Sequence, residues 1–192
     1  MKCKSKIALL LILMVIVTLV LNSVAFATTN SCYLNIDGVK QEQTYWCWAA
    51  TSETIIKFLG HGAYSQSTIV QDVKGSVVND GASYSEDGLS LTKHGVSTTG
   101  TQSGILGSGN ISFSTIKTMI QGWSSPIKAC IAWNTGGYHD LVIYGFYEDS
   151  STQNVSYMDP WQENPMWNSR TYSSFVSNSG WNWGGWTYYN NQ

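Results

Sequence analysis

Beyond Pro126 apolar side chains recur at every second position, whereas after Cys47 and again between Ser112 and Trp123 they recur every three or four, with a weakly periodic Gly/Ser/Thr/Asp-rich stretch from Gly75 to Asn110 between. That change of period limits the fold more than any other feature. Ile127, Ala129, Ile131 and Trp133 alternate with Lys128, Cys130 and Ala132, which reads as a strand. Asn134-Thr-Gly-Gly-Tyr138 is a turn, Asp140 to Tyr147 a second and more buried strand, and Asn154 to Met158 a third, joined as a hairpin by the loop Asp149 to Gln153. Upstream, Ala49, Ser52, Ile56 and Leu59 share one helix face, which Gly60 and Gly62 terminate. Ser65 suits the N-cap of a short helix through Val73. The stretch Ser83 to Leu91 reads as a turn entering a helix. Ser112 or Ser114 caps a further helix with Ile116, Met119, Ile120 and Trp123 as its apolar stripe. A short strand at Cys32 to Ile36 and one or two more in the tail complete the pattern. Helices first and antiparallel sheet afterwards predict an α+β domain.

The first residues stand outside that domain. Lys2, Lys4 and Lys6 precede an almost wholly apolar run, Ile7 to Leu21, and Ala25-Phe26-Ala27 gives the small-x-small pattern of a signal-peptidase site. The run is short for a membrane span, which needs about 20 residues. The expectation is a signal peptide over 1–27 and a secreted single domain over 28–192, monomeric, with no stable membrane association after cleavage. About 165 residues suffice for one core and not for two.

Without the three leader lysines, seven basic side chains face twelve acidic ones, a net charge of about −5. The seven are scattered singly, so no basic patch forms and nucleic acid is excluded as a partner. Cys3 leaves with the leader, and Cys32, Cys47 and Cys130 remain. An odd count in an exported chain leaves at least one free thiol. Cys32 and Cys130 are the possible disulfide, with two small buried thiols as the alternative. No CxxC or HxxxH spacing occurs, so neither zinc nor another cofactor is expected.

A cysteine nucleophile works as its thiolate, and a helix N-terminus or an adjacent imidazolium lowers its pKa. Cys47, in Gln41-Glu-Gln-Thr-Tyr-Trp-Cys-Trp-Ala-Ala50, stands where the first helix begins. Its own N–H is a natural oxyanion donor, and Gln41 and Gln43 are both available as a second. Trp46 and Trp48 flank it as candidate walls of a substrate site, alternatively as core, and Gly137 and Tyr138 are further candidate substrate contacts. Of three histidines, His61 reads as exposed at a helix end and His94 has no strong neighbours in sequence. His139 opens an apolar strand after a Gly-Gly turn and is the candidate base. Were residues 139 and 159 opposed across the hairpin, Asp159 would stand beside His139 as its orienting group. Asp140 would point to the opposite face, and Glu148 and Asp149 lie at the far end.

The order Gln, Cys, His, Asp resembles the papain-like cysteine peptidases, in which Gln41, six residues before Cys47, occupies the place of the oxyanion-hole Gln. The segments Gln41 to Ala50, Gly137-Tyr-His-Asp-Leu-Val-Ile-Tyr-Gly145 and Tyr157-Met-Asp-Pro-Trp161, with Arg170-Thr-Tyr-Ser-Ser-Phe175, are similar to the bacterial branch that includes avirulence-effector and bacteriocin-leader peptidases. The resemblance implies a papain-like α+β fold, a protein or peptide substrate, and an acyl-enzyme mechanism with Cys47 attacking, His139 shuttling the proton, Asp159 orienting it and Gln41 binding the oxyanion. A dedicated secretion system and a fused transporter, known in that branch, are not part of the expectation. The interval between Thr28 and Cys47 is too short for a folded pro-domain.

Two other classes compete. The same triad suits a cell-wall peptide amidase. The aromatic tail, with Trp161, Trp167, Trp181, Trp183, Trp186, Tyr188 and Tyr189, suits a sugar-binding module unless those rings fill the core.

Overall fold

The computed structural model of the chain describes residues 29–102 and 110–190. The expected signal peptide therefore lies outside the described residues. In chain order the elements are β1 (Asn30–Tyr33), α1 (Cys47–Phe58), α2 (Gln66–Lys74), α3 (Tyr84–Thr92), β2 (Thr98–Gln102), α4 (Phe113–Lys117) running into a π-helical turn (Thr118–Gly122), β3 (Ile127–Trp133), β4 (Tyr138–Glu148), β5 (Gln153–Met158), β6 (Trp167–Thr171), α5 (Tyr172–Val176), β7 (Trp181–Asn182) and β8 (Trp186–Asn190).

Short polar side chains start α2, α3, α4 and α5, whereas α1 begins at Trp46 with no side-chain cap. Ser65 caps α2 by accepting from Thr68 N–H, and Ser112 caps α4 by accepting from Thr115 N–H. At α3 Ser83 and Glu86 form a reciprocal capping box. The expected stripe on α4 breaks at its end. The π turn adds a residue to the helical repeat and rotates Trp123 out to solvent, where it is 46% exposed.

The strands run in the order β2-β8-β3-β4-β5-β6, all antiparallel, with β1 and β7 extending the ladders on β4 and β3. The β3–β4 hairpin turns through Gly136 (φ 97°) and Gly137 (φ 90°), two consecutive left-handed residues that side chains would strain. Helices cover both faces of this sheet. The odd positions of β3 and β4 pack with α4, the π turn and α5, while Val142 and Met158 pack with α1, α2 and α3. The second face of β3 is therefore interior too, and its Lys128 and Cys130 are buried beneath α1.

Two sequence expectations are corrected here. The β4–β5 register places Val142 opposite Met158 and Ile143 opposite Tyr157, then slips by one at Tyr144. Residue 159 therefore falls level with 141 rather than 139, and a bulge separates the near and far ends of the hairpin. The offset is two residues, so Asp159 keeps the face of His139 and becomes its diagonal neighbour. The second correction concerns the disulfide, since Cys32 and Cys130 are both free. Cys32 pairs with Phe146 and Cys130 with Asp140 on the same strand β4. Six residues of strand separate those positions by about 20 Å, several times the reach of a disulfide.

Candidate active site

The first turn of α1 and the start of β4 meet in a cleft of about 580 Å³. Cys47 and His139 both line it, and Trp48, Trp133, Trp161 and Trp186 supply much of its wall. Cys47 is the first residue of α1 and is half-buried. His139 is buried, stacks on Trp133 at 5.7 Å between ring centroids and meets the edge of Trp161. Its Nε2 lies 2.8 Å from Asp159 Oδ1. A carboxylate only accepts, so Nε2 carries the hydrogen and Nδ1 keeps its lone pair free for proton transfer.

Asp159 is fixed from several sides. Trp161 N–H donates to Oδ1 at 2.9 Å and the Asn164 amide to Oδ2 at 2.7 Å. Burial works against its charge, but the His139 contact and these donors outweigh it and hold the carboxyl below the usual range. The loop itself is clamped by Lys40, whose ammonium donates to the carbonyls of Asp159, Trp161 and Asn164 at 3.1, 2.6 and 2.7 Å. Gln41 N–H to Pro160 O and the Gln162 amide to Gln41 O close the same seam. Lys40→Ala is expected to cost about 2–3 kcal/mol, because three carbonyls lose one charged donor. Urea unfolding measures that cost, and a change below roughly 0.5 kcal/mol contradicts the clamp.

Sequence reasoning missed Lys40 and Asn164, because a lone Lys and a lone Asn carry no spacing signal. Trp133 stood in the strand pattern and Trp186 in the aromatic tail, but nothing local aimed either ring at the cleft.

The structure brings Cys47, Trp48, Gly137, Tyr138 and His139 to one cleft, with Asp159 behind His139. It does not bring Trp46 or Gln41 there. Trp46 is buried in the core with its indole N–H on Val78 O at 2.8 Å. Gln41 lines a separate, smaller recess. Its amide donates to Gln43 O and Thr44 O at 2.9 and 2.8 Å, so both of its hydrogens are committed to the turn that leads into α1. His61 is exposed at the end of α1. His94 is a buried structural histidine held between Ser90 O and Asp72.

The electrostatics of Cys47 also differ from the expectation drawn from helix position. Burial first, then the charge of Asp140, push the thiol above its ordinary value, and a hydrogen bond from the Asp140 main chain only partly opposes them. A half-open helix end is too small a perturbation to reverse the loss of solvent around the sulfur. Cys47 rests as a thiol, and its proton must be taken from it.

Comparison with known proteins bears on the family and the fold. The family model described as papain-like cysteine protease AvrRpt2 matches residues 28–179. The peptidase domain of Streptococcus ComA, a bi-functional ABC transporter involved in quorum sensing, superposes with a TM-score of 0.54 at 17% identity, covering 83% of this chain and 100% of that one. A double glycine motif protease from an AMS/PCAT transporter, solved with its leader peptide, gives 0.55 at 13% identity, covering 84% and 95%. UfSP from C. elegans gives 0.57 at 12% identity over 85% of this chain and 34% of that one. At such identities the structural likeness speaks for the fold. A comparison with curated proteins returned no match. The fold is α+β, as the order of the elements implies, and papain-like, as the sequence resemblance implies. With the family match spanning most of its length, this chain belongs to the papain-like cysteine proteases and is a peptide-bond hydrolase.

Proposed function

We propose that the protein is a secreted cysteine peptidase that cleaves peptide bonds through Cys47, His139 and Asp159 by way of an acyl-enzyme. The observation that carries this reading is the 2.8 Å contact of His139 Nε2 with Asp159 in a cleft that Cys47 shares. In the first half-reaction His139 Nδ1 takes the Cys47 proton and the sulfur attacks the substrate carbonyl. The imidazolium, stabilised by Asp159, then protonates the departing amine. Water, activated by the same imidazole, releases the acyl group and restores the thiol. The Cys47 N–H, at the first turn of α1, is one donor to the oxyanion. Gln41 acts at one remove, by shaping the turn that presents Thr44 and Cys47.

The aromatic walls suit an extended peptide with apolar side chains. The leader peptide held by the transporter protease of the same fold supports a peptide occupant. Secretion rests on the lysine-flanked apolar run and the Ala25-Phe26-Ala27 site.

One experiment tests the reading as a whole. Protein is recovered from the medium of expressing cells, its N-terminus is located by mass spectrometry, and it is assayed on a denatured protein beside Asp159→Asn. The expected N-terminus is near Thr28. The variant is expected to lose about 10²-fold in kcat/KM, because an amide no longer fixes the tautomer or stabilises the imidazolium. Retention of the leader removes the secreted half of the proposal. Equal activity of the two proteins removes the triad.

A further inference from the structure

Asp140 follows His139 on β4 and turns to the other face of the sheet, opposite Cys130 and toward α1. Its carboxyl is buried and lies against the Cys130 thiol, and its Oδ1 has no hydrogen-bond partner. Its main chain, meanwhile, hydrogen-bonds the Cys47 sulfur. One residue thus touches the proposed nucleophile through its backbone and carries beside it a buried acid with one oxygen unpartnered. Packing alone does not explain such a side chain, because Val142, two positions along the same face, fills its place with apolar atoms.

The groups that face Asp140 are Cys47 on α1, Asp87 on α3, Lys128 and Cys130 on β3, and Tyr188 on β8. Lys128 is the one cation among them, and it is already committed. Its ammonium is paired with Asp87 Oδ1 and donates to Trp48 O at 2.8 Å and Ser52 Oγ at 2.7 Å. Two buried carboxyl groups therefore share one cation, and the second is best accommodated as the neutral acid. Burial first, and then the charge of Asp87, push Asp140 up to about 7.

We propose that Asp140 is a positioning residue for the nucleophile, whose proton decides how readily Cys47 ionises. As the neutral acid it tolerates the thiolate that forms when His139 takes the Cys47 proton. As the carboxylate it places a second negative charge against that sulfur and returns the balance to the thiol. The cleft accordingly works on the acid side of neutrality, and its reactivity stops rising with pH where Asp140 ionises. This inference rests on Cys47 being the nucleophile.

The test is the second-order rate of Cys47 alkylation by iodoacetamide from pH 5.5 to 8.5. It is followed by peptide mapping, so that Cys32 and Cys130 are read separately, in the wild type, Asp140→Asn and Asp140→Ala. The ratio of variant to wild-type rate is expected to climb about tenfold between the two ends, because only the wild type acquires the opposing charge. A ratio that is flat across the range overturns the proposal. The wild-type profile decides the matter even if neither variant folds. Its log rate is expected to flatten above neutrality, and a continuous unit slope through pH 8.5 overturns the proposal equally. If Cys47 is alkylated no faster than Cys32 at any pH, it is the nucleophile assignment that fails. Selective alkylation of Cys47 with a flat ratio sinks the role of Asp140 alone.

Discussion

Cys47→Ala is expected to reduce hydrolysis of a denatured protein substrate by about 10⁴-fold or more while leaving the fold intact. The size follows from the division of labour in the cleft. In the proposed mechanism Cys47 alone forms the covalent bond, and His139, Asp159 and the oxyanion donors act on what that bond creates, so without the sulfur they have nothing to assist. The fold is spared because Cys47 is half-buried in the lining of the cleft, and the hydrogen bond its sulfur takes from the Asp140 main chain joins a strand that stays paired with β3 and β5. Hydrolysis measured beside far-UV circular dichroism separates the two effects. Residual activity above about one per cent in a folded variant would contradict a nucleophilic role. Purified cell-wall peptides run in parallel distinguish the amidase alternative, since both readings lose their activity with Cys47 but differ in which substrate the wild type consumes. A polysaccharide-binding role predicts no effect of Cys47→Ala at all. That alternative also loses much of its surface, because Trp181, Trp183 and Tyr188 are core residues.

Sequence periodicity made the elements legible and left the layering hidden. Ile127–Trp133 alternates visibly, and the strand has those bounds. What alternation does not say is that the intervening residues are buried as well. A polar residue between apolar ones ordinarily marks the solvent face of a sheet, yet Lys128 is fully buried because α1 lies over that face. The same limit applies to the site. His139 and Asp159 were recoverable because a hairpin keeps parity, so a register error of two residues still leaves them on one face. Parity says nothing about side chains that arrive from distant elements. Trp186 reaches the cleft from the last strand, and Lys40 reaches the Asp159 loop across more than a hundred residues of sequence. Gln41 had the expected spacing from Cys47, but spacing fixes neither which way an amide turns nor which carbonyls claim it. The strand β2 lies in the weakly periodic Gly/Ser/Thr/Asp-rich stretch between Gly75 and Asn110. Its backbone pairing with β8 organises it rather than any apolar pattern of its own.

The buried ion pair behind the cleft gives the largest expected effect on stability. Lys128 and Asp87 have no exposed side-chain surface, and Trp186 Nε1 donates to Asp87 Oδ2 at 2.6 Å. One pair thus ties β3 to α1 and α3 and anchors a ring of the cleft wall. Lys128→Met keeps the length of the side chain and removes its charge. It leaves Asp87 in the interior without a cation and Trp48 O and Ser52 Oγ without their donor. Breaking such a pair from one side costs about 3–5 kcal/mol. The cost also has a definite pH dependence. Without Lys128, the folded protein holds Asp87 as the acid, so its folded-state pKa lies above the unfolded value of about 4. Folding then binds a proton that the unfolded chain releases, and stability falls as pH rises above about 4 toward that raised folded-state pKa. Urea unfolding at pH 5 and pH 8 should show the deficit growing with pH. Adding Asp87→Asn, which retains an acceptor for Trp186, should recover much of the loss at pH 8 and less at pH 5, because the amide replaces a carboxyl that was costly only when charged. A Lys128→Met protein within about 1 kcal/mol of wild type at both pH values would mean that Lys128 and Asp87 are not mutual partners in solution.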